Sequence, residues 1–434
     1  MPQDCCIVSR APRLFRLRRI PMIWVLLSVV PCLVPITASQ AQERVRTAAR
    51  QLEIESFRNP ETFFRIGPLQ EELAVFAGLD FTDNANISHT GKISRVSIRE
   101  GITLNTTWTL SHINQLQFSF GGALRQDFYG NGKSDVTYTV TPNSLLQFNF
   151  AVDDVQVRLY DYFSYTQDPS TNPTVTNTTY LNNLTNTIGA QVKKELNLAV
   201  VSLSGDYTYN NQSGSNIQGQ TNPSSSGTRN TFRVESSVGF HWSPTLLYGI
   251  EDSISRTSGS SQGTGSGNVN SLNVGPFIRG QLSRLTDLDF ACGATLLDAK
   301  PSVPPTFYLS AILRHQFSRN FQVILAGSHD LFFNTGASLT EEYVLRGGAQ
   351  FNLTRFITFY ATPSLLLGDS KNGSNTNGFV RGNFKEYTIE AGLGWTPHKH
   401  LTTALKYDFR RRDAESATSS YSQNTISFDI TYTF

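Results

Sequence analysis

The chain has 434 residues, a net charge of +2 and 16% charged residues, whereas about 25% is usual in soluble proteins. This near-neutral balance gives no electrostatic case for a nucleic-acid partner. The length suggests two or three soluble domains unless one large closed sheet accounts for it.

The N-terminus has the layout of a secretory signal peptide. A basic stretch at 10–19 precedes the apolar run Ile20 to Val34, which is shorter than the roughly 20 residues that a membrane-spanning helix needs. Small residues at Ser39 and Ala41 predict cleavage after Ala41. Loss of residues 1–41 changes the net charge from +2 to −2, because five Arg and one Asp leave with them. Cys292 is then alone and has no internal disulfide partner.

We predict a short periplasmic segment at 42–72 and a β-barrel at 73–434. The barrel region alternates apolar and polar residues at period two, which is the signal of strands. The last strand shows the pattern most clearly, with apolar or aromatic side chains at Ile426, Phe428, Ile430, Tyr432 and Phe434.

The connections alternate between short turns and longer polar segments. Short turns are predicted near 111–114, 153–154, 194–196, 243–245, 283–285, 318–320, 354–356 and 396–399. The longer segments, rich in Ser, Asn, Gly and Thr, include 167–183, 211–227, 259–267, 370–378 and 413–419. Counting a first strand at about 73–87 and a last one at about 420–434 gives about 18 strands, and 16 is the alternative.

Two architectures produce such alternation. A soluble β-sandwich buries the apolar face, whereas a transmembrane barrel turns it toward lipid and needs short turns at one end and long loops at the other. The turn asymmetry and the export signal favour an all-β, single transmembrane up-and-down antiparallel β-barrel with short periplasmic turns and longer extracellular loops.

Every Trp after the signal stands beside a predicted short turn. Trp is favoured at the boundary between membrane and water, where its ring sits at the interface and its N–H stays hydrated. We therefore predict that Trp108, Trp242 and Trp395 belong to an aromatic girdle at the periplasmic boundary.

The C-terminal stretch TISFDITYTF, with its final aromatic residue and alternating apolar residues, resembles the terminal strand signal of Gram-negative outer-membrane barrels. The stretch VQVRLYDYFSYTQDP at 155–169, together with the pattern over 73–434, resembles outer-membrane β-barrel porins of unassigned substrate. The resemblance implies location in the outer membrane of a Gram-negative bacterium, with contact to its lipid. It also implies insertion by the barrel-assembly machinery through Ile426, Phe428, Ile430, Tyr432 and Phe434.

Charged residues that alternate with the apolar positions are predicted to line the lumen. Barrels of 16–18 strands leave an aqueous channel, in which such charges set ion preference. The predicted pore-lining residues are Arg99, Arg125, Asp127, Arg158, Arg233, Glu235, Arg279, Arg314, Glu342, Arg346, Lys406 and Arg410. We expect most of them to pair across strands, and therefore a porin-like channel for passive diffusion of small hydrophilic solutes, with weak selectivity.

Two other functions remain open at this level. A partner-dependent barrel for exopolysaccharide or protein export would need aromatic tracks in its lumen, for which Tyr160, Tyr162, Tyr308 and Tyr360 are the inward candidates. An outer-membrane hydrolase would need a nucleophile beside a base. No histidine in the sequence belongs to a catalytic motif or to a convincing metal-binding spacing. We predict no enzyme activity, no metal site and no cofactor.

Overall fold

The computed structural model of the chain describes residues 64–168, 180–215, 221–261, 265–298, 304–333, 339–371, 382–415 and 419–434. The predicted signal peptide at 1–41 and residues 42–63 of the predicted periplasmic segment lie outside these ranges. Within them, no helix is long and apolar enough to cross a membrane.

The described residues form nineteen strands. They are β1 Phe64–Ile66, β2 Leu69–Thr82, β3 Arg95–Thr109, β4 Gln115–Tyr129, β5 Ser134–Val152, β6 Val155–Thr166, β7 Tyr180–Glu195, β8 Ala199–Ser215, β9 Thr221–Ser243, β10 Leu246–Ser261, β11 Gly265–Ser283, β12 Thr286–Asp298, β13 Thr306–Ser318, β14 Phe321–Phe333, β15 Leu339–Asn352, β16 Ile357–Lys371, β17 Gly382–His398, β18 Leu401–Ala414 and β19 Tyr421–Thr433.

Strands β2 to β19 form one closed antiparallel barrel of 18 strands. Each strand pairs with the next one in sequence, and β19 returns to pair with β2 from Thr425 opposite Thr82 to Thr433 opposite Ala74. The Phe434 backbone N–H also donates to the Leu73 carbonyl at 2.9 Å. The all-β, up-and-down architecture is confirmed, and the alternative of 16 strands is wrong.

All eight predicted short turns lie between consecutive strands, at one end of the barrel, which we call the turn end. At the other end, which we call the loop end, the predicted segments at 211–227 and 259–267 are largely wrong as loops. There β8 runs to Ser215 and β9 begins at Thr221, while β10 runs to Ser261 and β11 begins at Gly265. Backbone pairing continues up to these strand ends, with Ser215 opposite Thr221 and Ser261 opposite Gly265.

The first barrel strand spans Leu69–Thr82 rather than about 73–87. It is preceded by the short β1, which pairs with the start of β2 through a turn at Gly67 and Pro68. Gly67 has a φ of +59°, a left-handed value that glycine adopts without strain. At the other end, Asp83 leaves the strand, and its carboxylate accepts hydrogen bonds from Asn424 of β19.

The strands place apolar side chains on one face and polar ones on the other. Large apolar residues of the first face, such as Leu405 and Ile430, are about half exposed. Polar residues of the second face, such as Asp127 and Ser97, are buried, and several of those on β7 to β11, β13 and β14 line one common recess. The polar face is therefore the inside of the cylinder, and the apolar face is its outside.

Candidate functional site: the lumen

The twelve predicted pore-lining residues all lie on the inner face by strand register. The structure brings most of them together in two charged groups on opposite sides of the ring. One group lies on β3, β4 and β18, and the other lies on β9 to β12.

The first group, the arginine wall, consists of Arg95, Arg99, Arg125, Arg410 and Arg412. The first four of these arginines line a recess of about 410 Å³ together with carboxylates such as Asp80 and Asp168. Each lies within 4 Å of a carboxylate, since the separations run from 2.5 Å for Arg99 and Asp80 to 3.8 Å for Arg410 and Glu386.

Arg99 and Arg125 show how the arginine wall is held together. Arg99 lies 2.5 Å from Asp80 of β2 and 2.8 Å from Asp429 of β19, so it ties together the strands that close the barrel. Arg125 binds Asp127 of its own strand and Asp168, each at 3.1 Å. Lys406 adds a weaker contact of 3.8 Å to Asp429.

The part of the arginine wall nearest the loop end centres on Arg412, whose side chain is fully buried. Its guanidinium lies 2.5 Å from Glu386 of β17 and stacks over the rings of Phe384 and Tyr421 at 5.4 and 5.0 Å. A buried arginine is tolerated there because a carboxylate and two aromatic faces replace its hydration.

The second group lies across the lumen. Arg233 contacts Asp206 at 3.0 Å and Glu235 at 3.4 Å. Arg279 bridges Glu251 of β10 and Asp289 of β12, the latter at 3.0 Å. The predicted pairing of inward charges across strands therefore holds in both groups.

The remaining predicted residues are more scattered. Arg158 donates to the Tyr162 hydroxyl, and its guanidinium lies 5.1 Å from the centre of the Tyr160 ring. Glu342 is buried on β15, Arg346 lies on the same strand, and Arg314 is exposed on β13. Their roles as pore-lining residues remain predictions.

Several partners in these groups were not predicted. They are Asp80, Arg95, Asp168, Asp206, Glu251, Glu386 and Arg412. All of them except Asp168 lie at the alternating polar positions of their strands, so the alternation could have identified them. Asp168 follows the end of β6, where alternation stops, and it still reaches Arg125 and Arg95.

Beside and within the second charged group, the inner wall carries small polar residues on β11 to β14, which we call the hydroxyl wall. Its members are Ser271, Asn273, Thr295, Ser310 and Ser328. All five are buried, and the side-chain oxygen of each has no hydrogen-bond partner among the described residues. Because the oxygens themselves are buried, a water molecule enclosed in the wall, rather than a solute in the lumen, is the kind of partner that such groups usually have.

Inward aromatic rings lie flat against the wall because they pack over glycines of neighbouring strands. A Cβ added to Gly189 would come within 2.5 Å of the Tyr160 ring, and one added to Gly293 within 2.6 Å of Tyr308. Tyr360 covers Gly392 in the same way, as Phe384 covers Gly368 and Phe76 covers Gly101.

The four tyrosines considered for an export track do not form one. Tyr160 and Tyr162 are neighbours on β6, with ring centres 5.1 Å apart, whereas Tyr308 lies on β13 and Tyr360 on β16. Such separated rings, held against glycines, leave the middle of the cylinder to polar groups.

The outer face carries the predicted girdle and assembly residues. Trp108, Trp242 and Trp395 are exposed beside short turns, with Trp242 packed edge-on against Tyr248. The five residues of the predicted assembly signal are exposed on the outer face, four of them on β19 and Phe434 directly after its end. Their functions as girdle and assembly signal remain predictions.

The histidines lie away from the charged lumen groups. His329 is buried on the outer face between the rings of Phe307 and Tyr343, and its Nε2 lies 3.1 Å from Glu341. His400 contacts the Thr433 carbonyl at the turn end. Among the described residues, no group of three His, Cys, Asp or Glu side chains could hold a metal ion.

No family model and no curated protein sequence matches the chain. Solved structures do resemble it. OccK7 (OpdD) from Pseudomonas aeruginosa aligns with a TM-score of 0.46 at 10% identity, over 85% of this chain and 99% of that one. OccAB3 from Acinetobacter baumannii gives 0.44 at 11% identity, over 85% and 100%. A mutant of the ferric enterobactin receptor PfeA from Pseudomonas aeruginosa gives 0.44 at 9% identity, over 84% and 80%.

The three structures comprise two Occ proteins and one receptor, and each aligns with this chain at a TM-score below 0.5. The likenesses therefore carry no argument about what the chain transports or binds.

Proposed function

We propose that this chain is an outer-membrane channel through which small hydrophilic solutes diffuse passively. The observation that carries the proposal is the division of faces around the closed 18-stranded ring: exposed apolar side chains outside, and charged and hydroxylated side chains inside. A barrel with this polarity suits hydrocarbon around it and water within it.

The arrangement of the inner charges supports weak rather than strong ion selectivity. In both charged groups the arginines contact carboxylates, so little unbalanced charge faces the lumen. The aromatic rings held against glycines also keep bulky side chains away from the axis.

Reconstitution of the mature protein into planar bilayers tests the proposal. We expect stepwise ohmic conductance, with similar permeability to potassium and chloride, and uptake of small sugars by proteoliposomes in a swelling assay. A folded barrel that is silent in both assays would contradict a passive channel. Uptake that requires an added periplasmic extract would favour the partner-dependent export barrel.

A further inference from the structure

Glu100 of β3 places a carboxylate on the outer face of the barrel. Ile98 and Ile102, the neighbouring residues of the same face, are both exposed. Glu100 stands eight positions before Trp108, which corresponds to about 20 Å along the axis of a barrel with tilted strands. Since the apolar band of such barrels is about 25 Å tall, the carboxylate lies about 5 Å inside the loop-end boundary of that band.

Glu100 differs from two other outward carboxylates, Asp161 of β6 and Asp252 of β10. The Asn186 side chain donates to Asp161 at 2.6 Å, and the Ser236 hydroxyl donates to Asp252. Glu100 is exposed, and it forms no hydrogen bond or ion pair with any residue that the structure describes. An ionisable group at this depth is costly unless a polar partner reaches it, and here the position is open to the surrounding membrane.

The carboxylate lies in an apolar recess of about 800 Å³ on the outer wall. Two adjacent rows of outward residues line this recess, and each row crosses β19, β2, β3, β4 and β5 by strand register. The first row consists of Ile430, Ala77, Glu100, Leu124 and Tyr138, and the second of Tyr432, Val75, Ile102, Gly122 and Val140. Glu100 is the only charged residue of these ten.

Small residues give the recess its floor. Ala77 and Gly122 stand between larger outward side chains such as Leu124 and Ile102. A Cβ added to Gly122 would lie 3.6 Å from the Phe120 ring, so this ring flanks the floor without covering it. Because each row crosses five strands spaced about 4.8 Å apart, the recess is about 19 Å long, which suits an extended acyl chain.

We propose that this recess binds an acyl chain of an outer-leaflet lipid, and that Glu100 accepts a hydrogen bond from a hydroxyl group of that chain. The glycolipids of the outer leaflet of Gram-negative bacteria carry acyl chains with a hydroxyl group on the third carbon. This hydroxyl lies just below the head group, at the depth of Glu100. A chain without the hydroxyl would leave the carboxylate without a partner in hydrocarbon.

Two synthetic probes that differ by one hydroxyl group test the site. They are N-(3-hydroxytetradecanoyl)glucosamine and N-tetradecanoylglucosamine, each added to the full mature chain in detergent and measured by native mass spectrometry. A hydrogen bond to a charged group is worth about one order of magnitude in affinity or more. We therefore expect the hydroxylated probe to bind at least about tenfold more tightly.

Three variants separate the hydroxyl contact from the apolar recess. Glu100→Leu keeps the apolar walls, so both probes should bind with equal affinity. Ala77→Trp fills the floor and should weaken both probes by at least about tenfold. Ala391→Trp is the matched control, because Ala391 is an outward alanine of β17, between the exposed Ile389 and Leu393 and outside the recess. It should bind both probes as the unmodified chain does, and heat-shifted mobility on gels checks that each variant is a folded barrel.

Three outcomes would overturn the inference. They are equal affinity of the unmodified chain for both probes, a preference for the hydroxylated probe that survives in Glu100→Leu, and unchanged binding by a folded Ala77→Trp barrel.

The inference rests on the proposed membrane-spanning role, but the two fail separately. A chain that conducts in planar bilayers and binds both probes equally would lose the lipid site and keep the channel. A chain that prefers the hydroxylated probe and never conducts would do the reverse.

Discussion

The arginine wall and the hydroxyl wall face each other across the same lumen. They differ in the partners that their buried polar groups have. In the arginine wall, Arg412 is fully buried against Glu386 and two aromatic rings. In the hydroxyl wall, Thr295 and Ser310 are equally buried, but their oxygens bond to no described residue.

This difference separates a wall that is held by its own ion pairs from a wall whose buried oxygens have no partner among the described residues. A buried charge without a partner is far more costly than a buried hydroxyl without one. The arginine wall should therefore tolerate little change, and the hydroxyl wall should tolerate much. Four substitutions test this contrast.

The largest effect is expected from breaking the arginine wall. Glu386→Leu leaves Arg412 and Arg410 without their shared carboxylate, and loss of one partner of a buried pair costs about 3–5 kcal/mol. The free energy of unfolding, measured by denaturant titration in lipid vesicles, should fall by about that amount. Glu195→Leu removes the exposed partner of Lys193 at the turn end and should cost less than about 1 kcal/mol. Equal losses for both variants would show that burial does not decide the cost.

The next largest loss of stability is expected when an arginine is placed on the outer face, where no carboxylates surround it. Leu405→Arg puts the charge on the outer face of β18, the strand that carries Arg410 and Arg412 on its inner face. A cationic side chain toward lipid destabilises a barrel by about 2–4 kcal/mol near the midplane. The inward Thr402→Arg, close by on the same strand, should change the unfolding free energy by less than about 1 kcal/mol. Similar costs at both sites would contradict the assignment of faces.

A moderate effect is expected at a seam between the two walls, where Tyr360 of β16 covers Gly392 of β17. Gly392→Ala forces the ring off the wall, and such overpacking costs about 1–3 kcal/mol. Because the displaced ring moves toward the axis, single-channel conductance should fall as well. Gly205→Ala, whose new methyl group comes no closer than 3.7 Å to any other atom, is the control for unfolding and should leave conductance unchanged. Unaltered conductance in Gly392→Ala would mean that the ring does not border the path of the ions.

The smallest effect is expected in the hydroxyl wall. Ser310→Ala removes an oxygen that has no protein partner, so the unfolding free energy should change by no more than about 0.5 kcal/mol. A destabilisation comparable to that of Glu386→Leu would remove the distinction between the walls.

The sequence predicts the barrel well, because alternation and turn spacing are local properties. The eight short turns and the strand total follow from residues such as Asp153 and Pro244 that stand between alternating runs. The sequence does not predict strand at the loop-end residues of β8 to β11. Beyond the apolar band both faces of a strand are polar, so alternation gives no signal there.

The site was predicted in part for the same reason. Alternation places Arg99 and Arg125 on the inner face, but it contains nothing about which carboxylates reach them. Asp168 comes from beyond a strand end, and the pairing of Arg99 with Asp429 depends on closure of the first strand against the last. Such contacts join residues far apart in sequence, and only the closed ring brings them together.

The orientation of the two faces is the claim on which everything else depends, and thiol labelling along β18 tests it most directly. In a Cys292→Ala background, single cysteines replace Ala404, Leu405, Lys406, Tyr407, Asp408 and Phe409 in turn. A water-soluble, membrane-impermeant maleimide should label the even positions, which face the lumen, and spare the odd ones in lipid. Labelling of the odd positions with protection of the even ones would contradict a barrel with water inside and hydrocarbon outside.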